Sequence, residues 1–320
     1  MTTKLSKFAL SLVLSTLTII SLAQASQNGA VTIIGSRFTY PYIRELIGDF
    51  RKVHPEVEIQ LLERGTDTED NANLIINGHE PQQDEIRNGY KAINFATYTI
   101  LPVANAKNPW LAEVLSTGLD KKEIRSLFFN KDYDPIYNEK KEQQRQEKYE
   151  RPDVHLFTRD QKACAPISFA GWFGFNQENI IGKRIVGSDL SLLYAVKSDE
   201  KGLTYNLPVH LYNLETRQPL SEWTIIPVDQ DGNNFISREE AIYGNLDQLL
   251  EALASGKVQN VPTAPVNISL PQQITDDNRN LSLFVEYLLG DGQLKARKYG
   301  FLELSKDVAE KQRGQIATKL

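Results

Sequence analysis

The order of segments between residues 31 and 68 constrains the fold more than any other feature of this chain. A β-branched, apolar run at 31–35 ends in Gly, and apolar residues from Ile43 to Val53 then recur at helical spacing. A second apolar run at 57–62 leads into another loop. A strand, a helix and a second strand in this order predict an α/β unit with parallel strands. Both loops then lie at the carboxyl ends of strands, where open α/β sheets bind ligands.

The rest of the chain continues this alternation of short apolar runs and amphipathic stretches. A segment at 261–270, interrupted by Pro, suits an edge strand or a crossover. Aromatic residues between Phe169 and Phe175 predict part of a buried core, because aromatic side chains dominate buried area. The pattern predicts strands at 98–103, 154–158, 202–205 and 223–228, and helices at 119–129, 246–253 and 281–289.

The first 25 residues have the pattern of a secretory signal peptide. Lys4 and Lys7 precede an apolar stretch from Phe8 to Leu22, and Ala23-Gln-Ala25 fits a cleavage site. An uncleaved anchor helix is the alternative, although the stretch is short for a membrane span. We therefore expect a periplasmic or secreted protein that is not inserted in the membrane once the signal is removed.

Composition argues against several functional classes. The net charge of −5 is unfavourable for a nucleic-acid partner, which would require a basic face. Cys164 is the only cysteine, so the chain has no disulfide framework, and a lone cysteine is most often a small buried apolar residue. The four histidines are far apart, and no nucleophile–base pair can be named from the sequence. The chain is therefore expected not to be an enzyme, with an exported hydrolase as the least favoured hypothesis.

Residues 229–240 fit the spacing of a calcium-binding loop of the EF-hand type. The apolar residue expected at position eight is Ile236. Position six is usually Gly, and here it is Asn234, which tolerates a left-handed backbone better than most residues. The alternative is a polar turn between a strand and a helix. The ligand positions hold Asp229, Asp231, Asn233, the Phe235 carbonyl, Ser237 and Glu240.

This loop predicts a structural calcium ion rather than a calcium sensor. A sensor pairs two hands that are each flanked by helices. Here a strand is expected before the loop and a helix after it, and a single strand–loop–helix site more often stabilises a fold. The predicted cofactor is therefore one structural Ca²⁺.

Several segments, taken in order, resemble the periplasmic phosphate-binding proteins of ABC transporters. Gly35-Ser-Arg-Phe-Thr-Tyr-Pro41 resembles their first ligand loop, and Tyr98–Pro109 resembles the hinge strand between lobes. Gly202-Leu-Thr-Tyr-Asn206 resembles a strand of their second lobe, and Phe284–Phe301 resembles their closing helix and strand. The resemblance covers nearly all of the chain after the signal peptide, and it rests on the order of the segments.

The resemblance implies an α/β, bilobed, type II periplasmic binding fold, with two parallel or mixed-sheet lobes and two crossovers. Lobe one is expected at 26–101 plus 267–320, and lobe two, which contains the loop at 229–240, at 102–266. It implies a non-catalytic solute-binding protein that closes on a small anion, with phosphate as a candidate and a membrane ABC permease as a partner. The expected anion ligands are Ser36, Thr39, Thr66, Thr68 and Arg159.

Alternative roles for these residues remain open at this stage. Each Ser or Thr can instead cap a helix, and Arg159 can form a surface salt bridge. The segment Ala163-Cys-Ala-Pro166 lacks the hydroxyl and glycine residues of the phosphate-binding pattern. An envelope or surface interaction protein that kept the fold but lost the ligand is therefore the second hypothesis.

Overall fold

The computed structural model describes residues 29–63, 71–129, 152–275 and 278–316. The predicted signal peptide at 1–25 and the expected ligands Thr66 and Thr68 lie outside the described residues.

The first sheet of the molecule has five strands and gathers both ends of the chain. Strand β1 is parallel to both of its neighbours, whereas β10 is antiparallel to the two strands beside it. The order β2-β1-β3-β10-β4 therefore makes a mixed sheet. Its strands are β1 (Val31–Gly35), β2 (Ile59–Leu61), β3 (Leu74–Asn77), β4 (Tyr90–Thr99) and β10 (Thr263–Pro271).

The second sheet is built from the middle of the chain. It has the order β7-β6-β8-β5-β9, in which β6 is parallel to both neighbours and β5 is antiparallel to both of its own. The two sheets confirm the predicted architecture of two mixed-sheet α/β lobes. The strands of the second sheet are β5 (Leu101–Asn105), β6 (His155–Arg159), β7 (Lys183–Ile185), β8 (Gly202–Asn206) and β9 (Trp223–Ile225).

Two crossovers join the sheets, and they lie side by side. The chain leaves β4 at Thr99 and enters β5 at Leu101, and it returns just before β10. The Thr99 hydroxyl and the Ile100 N–H both donate to the Pro262 carbonyl, at 2.8 and 2.9 Å. The predicted first boundary after residue 101 falls at this crossing. The predicted second boundary after residue 266 falls inside β10. The exact limits of the two lobes stay a prediction.

The segment at 261–270 is expected at an edge or in a crossover. Its first residues form the return crossover, whereas the edge position is wrong for Asn267–Ser269, which pair on both sides. Strand β10 lies between β3 and β4 and pairs with both. Its register against β4 shifts between Val266 and Asn267, one residue after Pro265, and β3 pairs only with Asn267–Ser269. Pro265 therefore lies in the part of β10 that pairs with β4 alone, and a proline is tolerated where a strand has a neighbour on one side only.

The helices cover the sheets with the apolar faces that the sequence predicts. Helix α1 buries Tyr42, Ile43, Leu46 and Phe50, and Pro41 lies in its first turn. The predicted aromatic core is confirmed, because the Phe129 and Phe175 rings stack with centroids 4.5 Å apart. No helix within the described ranges is both long and apolar enough to cross a membrane. The helices are α1 (Tyr40–Val53), α2 (Leu111–Thr117), α3 (Lys121–Phe128), α4 (Cys164–Trp172), α5 (Asp189–Lys197), α6 (Pro208–Leu211), α7 (Leu246–Ala254), α8 (Arg279–Leu289) and α9 (Lys306–Ile316).

Candidate functional site

A cavity of about 470 Å³ lies between the two sheets, where the carboxyl ends of β1, β3 and β6 meet. The beginnings of helices α4 and α5 also reach it. Strand ends and helix beginnings thus converge as the α/β pattern predicts for a ligand site. The charged and polar residues of the lining are Ser36, Arg37, Asn77, His79, Glu85, Arg159, Lys162, Ser188 and Asp189, together with Cys164.

Arg159 ends strand β6 and lines this cavity. The residue is only 9% exposed, and its Nη1 donates to Asp189 Oδ1 at 2.7 Å. Its buried Nε has no hydrogen-bond partner within the described part of the chain. The ion pair with Asp189 fixes the guanidinium, and a buried donor is left for an acceptor that none of the described residues supplies.

Ser36 faces the cavity from the opposite lobe, directly after β1. Its Oγ accepts from the Gly78 N–H at 3.0 Å and lies 3.0 Å from Cys164 Sγ. Thr39 is fully buried, and its hydroxyl donates to the Ser36 carbonyl at 2.7 Å. The cavity therefore brings Ser36 and Arg159 together, whereas Thr39 supports the Ser36 loop from behind.

A group that sequence reasoning did not assemble occupies the same cavity. Cys164, the first residue of helix α4, lies with its Sγ 3.2 Å from His79 Nδ1. His79 Nε2 in turn lies 3.0 Å from Glu85 Oε2. Glu85 also accepts from the Gln82 N–H and from Lys162 Nζ, both at 3.0 Å. A thiol, an imidazole and a fixed carboxylate thus form a continuous series of contacts.

The surroundings shift the pKa values of this group toward its charged form. Burial acts to lower the pKa of His79, but the hydrogen bonds and charges of Cys164 and Glu85 outweigh burial and raise it. Burial acts to raise the pKa of the Cys164 thiol, but His79, with Ser36 and the Gly78 N–H, outweighs burial and lowers it. Both directions favour a thiolate beside an imidazolium.

Sequence reasoning missed this pair because its members lie far apart in the chain. Cys164 and His79 are 85 positions apart and belong to different sheets. One local signal was present, since His79 follows the end of β3 in the same way that Ser36 follows β1. Applying the strand-end rule to every strand would have placed His79 in the cleft. The expectation that Cys164 is a small buried apolar residue is corrected, because the residue is only partly buried, lines the cavity and contacts polar neighbours.

The loop at 229–240 brings three carboxylates together away from this cavity. One oxygen each from Asp229, Asp231 and Glu240 lies within 4.8 Å of the other two. Asp229 accepts backbone N–H bonds from within the loop, among them that of Asn234 at 2.8 Å. Asn234 has a φ of 60°, so this residue adopts the expected left-handed backbone. A set of carboxylate oxygens in this arrangement suits a hard cation such as Ca²⁺.

The remaining predicted ligands of the loop lie around these carboxylates. Asn233 Nδ2 donates to Asp231 Oδ2 at 2.9 Å, and Ser237 Oγ donates to Glu240 Oε2 at 2.7 Å. Phe235, whose carbonyl is the predicted ligand, exposes 63% of its side chain. The Ile236 N–H donates to the Ser116 carbonyl at 2.9 Å, which fixes the loop to the end of helix α2.

Comparison with solved structures defines the fold of the chain. A candidate phosphate ABC transporter substrate-binding protein of Clostridium perfringens, solved with bound phosphate, matches 87% of this chain and all of its own, with a TM-score of 0.59 and 15% identity. An ABC-type phosphate transport receptor of Vibrio cholerae matches 86% of this chain and all of its own, with a TM-score of 0.55 and 15% identity. The chain therefore has the bilobed type II periplasmic binding fold that its sequence predicts.

At this identity the likeness establishes the fold alone. No protein-family model matches the sequence, and no curated protein matches it either. The function must be argued from the residues of the site.

Proposed function

We propose that this protein is an exported solute-binding protein that holds a small oxyanion in the cavity between its lobes. Phosphate is the leading candidate, because the similar solved structures are described as phosphate-binding and transport proteins. An ABC permease is the corresponding membrane partner. Cationic residues of the lining, Arg37, Arg159 and Lys162, outnumber the carboxylates of Glu85 and Asp189, which favours an anion.

The observation that carries this proposal is the state of Arg159. Its guanidinium is buried in the lining and held by Asp189, and its Nε has no partner among the described residues. A buried donor on a charged group costs free energy unless an acceptor reaches it. An oxyanion would accept from this donor, and Ser36 would contact the same ligand from the other lobe. Thr66 and Thr68 complete the proposed ligand set.

Isothermal titration calorimetry with phosphate, sulfate and small carboxylates tests this function. We expect saturable binding of an oxyanion by the wild-type protein. Arg159→Lys should weaken binding roughly 10- to 100-fold, because a hydrogen bond to a charged group contributes about 1.5–3 kcal/mol. Arg44→Gln is the matched control, since Arg44 is largely exposed and pairs with Glu63 outside the cavity.

Two results would contradict the proposal. The first is no heat with any oxyanion in a folded sample, which would favour the surface interaction protein instead. The second is equal binding by wild-type protein and Arg159→Lys, because the anion would then not use the buried guanidinium.

We also propose that the loop at 229–240 binds one structural calcium ion. Support comes from the three convergent carboxylates and from the burial of two of them, since Asp229 is 1% and Glu240 is 6% exposed. Backbone N–H groups bond these two side chains, but a net negative charge remains in the cluster. Asp229, Asp231, Asn233, the Phe235 carbonyl, Ser237 and Glu240 would hold the ion.

A further inference from the structure

We propose that Cys164 is a nucleophile, with His79 as its acid–base partner and Glu85 as a positioning residue, and that the cavity transfers the acyl group of a small anionic ester or thioester to water. This activity goes beyond solute binding. It rests on contacts between the lobes and not on which oxyanion the cavity binds.

The contacts around Cys164 meet the geometric requirements of a cysteine nucleophile. A cysteine nucleophile requires a base within hydrogen-bond reach and a third group that orients the base. His79 Nδ1 lies 3.2 Å from Cys164 Sγ, and Glu85 Oε2 lies 3.0 Å from the other ring nitrogen. Glu85 is itself fixed by Gln82 N–H and Lys162. The chain of contacts therefore defines the orientation of the imidazole ring as well as its distance from the sulfur.

The surroundings of Cys164 also stabilise negative charge. Cys164 begins a nine-residue helix, where a negative charge is favoured by the helix dipole. The Gly78 N–H also points at the sulfur, 3.4 Å away. The N–H groups of Cys164 and Ala165 lie in the first helical turn and have no acceptor within the helix. They can therefore donate to the oxyanion that forms when a thiolate attacks a carbonyl.

The lining of the cavity indicates the class of substrate. The cavity that contains Cys164 also contains the buried Arg159, whose Nε lacks a partner in the part of the chain that the structure describes. An acyl compound with a carboxylate or another anionic group would satisfy this donor while its carbonyl meets the sulfur. Phe38, Ala165 and Ile167 line the same space and suit a short apolar acyl chain.

The nucleophile and its base belong to different lobes. Cys164 is carried by helix α4 beside the second sheet, whereas His79 and Glu85 follow strand β3 of the first. Lys162 Nζ bonds Glu85, and the Ser168 hydroxyl donates to the Gly78 carbonyl at 3.1 Å across the same gap. Opening of the cleft would separate the sulfur from the imidazole, so that closure assembles the reactive pair.

The reaction balances with water as the second reactant. The thiolate forms an S–C bond to the carbonyl carbon, and the leaving oxygen or sulfur departs with the proton of His79 Nδ1. Neutral His79 then takes a proton from water as the hydroxide adds to the thioester carbon. The C–S bond breaks, which releases a carboxylic acid and restores the thiolate beside the imidazolium.

The pH profile of alkylation by iodoacetamide tests the activated thiol. Every label reports Cys164, because the chain has one cysteine. Around the pair, Glu85 bonds Lys162, Arg159 bonds Asp189, Arg37 also lines the cavity, and burial raises the pKa of Tyr98. We expect a thiolate pKa below the ordinary value of about 8.5. In His79→Gln the rate near pH 6 should fall about tenfold or more, which corresponds to at least one pKa unit.

His155→Gln is the matched control for the loss of a histidine. His155 Nδ1 pairs with Asp199 Oδ2 at 2.8 Å, but this pair is exposed and lies outside the cavity lining. Its alkylation profile should equal that of the wild-type protein. Glu85→Gln provides a second variant should His79→Gln not fold, and Glu85→Asp should recover part of the wild-type profile. A wild-type profile with an ordinary or raised thiol pKa, or equal profiles in all variants, would overturn the activated thiol.

Acyl transfer itself is tested with para-acetoxybenzoate, which is anionic, and with neutral phenyl acetate. Mass spectrometry should find one acetyl group on Cys164 and release of the phenol beyond one equivalent. His79→Gln should slow acetylation roughly a hundredfold, and Arg159→Lys should remove the preference for the anionic ester. A reactive thiolate that neither ester acetylates would overturn the proposed activity. Phosphate binding is measured separately by calorimetry, so failure of one proposal does not imply failure of the other.

Discussion

At the scale of single residues, Gly35 lets the end of strand β1 approach β3 closely, because glycine has no side chain. A Cβ on Gly35 would lie 2.3 Å from the Ile76 carbonyl oxygen on β3, a distance that real Cβ atoms do not adopt. Glycine at this position therefore permits the close pairing of β1 and β3. Ser36 and Gly78, which follow these strands, are thereby held at hydrogen-bond distance.

We predict that Gly35→Ala destabilises the protein by about 1–3 kcal/mol, because the added methyl group forces the two strands apart. Gly48→Ala is the matched control, since Gly48 lies on the exposed side of helix α1 with open space around its Cβ position. The control should stabilise the protein by about 0.5–1 kcal/mol through helix propensity. Urea unfolding of both variants measures the difference. Equal effects of the two substitutions would contradict the assigned role of Gly35.

A second prediction at this scale concerns the stability of the protein at low pH. Burial acts to raise the pKa of Glu85, but hydrogen bonds from the Gln82 N–H, His79 and Lys162 outweigh burial and hold the pKa at about 2. Because the folded pKa is below the ordinary value of 4.5, this carboxylate stabilises the protein above pH 4.5, and its contribution is lost as the pH falls toward 2. Glu85→Gln should therefore be less stable than the wild type at neutral pH and equal to it near pH 2. Urea unfolding over this pH range measures the gap, and a gap that stays constant with pH would refute the assignment.

Some site residues could be predicted individually, but the site as a whole could not. Ser36 and Arg159 were accessible because each lies at the end of a predicted strand, where α/β sheets bind ligands, and because the family resemblance implies both. The link between Cys164 and His79 depends on how the two lobes approach each other. No local pattern of residues encodes that approach, so it required the structure.

At the scale of elements, β9, the loop at 229–240 and helix α7 follow one another as the sequence predicts. The loop also contacts helices α2 and α3, since Ile236 bonds Ser116 and a Cβ on Gly232 would lie 3.6 Å from Asp120. The convergence of its carboxylates was predictable because they lie within one short segment. The interior position of Asn267–Ser269 was not, because it depends on where β3, which is distant in the chain, pairs beside β10.

We predict that calcium stabilises this element and that Glu240→Ala abolishes the effect, since the bidentate ligand is lost. With calcium several hundred-fold above its dissociation constant, the stabilisation should be roughly 3–4 kcal/mol. Melting curves with calcium and with a chelator measure it. Glu239→Gln is the matched control, because Glu239 adjoins Glu240 but is not part of the carboxylate cluster.

The position of the loop at 229–240 allows a second measurement to test this prediction. The loop lies outside the cavity lining, so anion affinity should change only slightly in Glu240→Ala. A chelator that leaves the melting temperature unchanged would refute the calcium site. Loss of anion binding with wild-type stability would place the ion in the functional site instead.

At the scale of the whole molecule, the lobes are connected on two sides of the hinge strands. On the cavity side, Cys164 meets His79 and Lys162 meets Glu85. On another side, Arg217 Nη2 donates to the Arg297 carbonyl, and Arg297 Nη1 bonds Glu251 at 2.9 Å. The two crossovers bond each other between these regions. Polar contacts on more than one side of the crossovers therefore hold the two lobes together.

The two-lobed architecture was predicted through the resemblance to periplasmic phosphate-binding proteins, because the order of strands and helices by itself predicts only an α/β fold. The identity of the ligand was not, because one fold serves many ligands. The segment Ala163-Cys-Ala-Pro166 shows why, since a cysteine there faces His79 across the cleft in place of hydroxyl and glycine residues.

The central claim is that an oxyanion occupies the cavity between Ser36 and Arg159. A crystal structure of the mature protein grown with inorganic phosphate tests this claim most directly. We predict density for one oxyanion in the cavity, with an oxygen at hydrogen-bond distance from Arg159 Nε and another near Ser36. Water alone in the cavity at saturating phosphate, with Arg159 Nε bonded to a protein acceptor, would contradict the account.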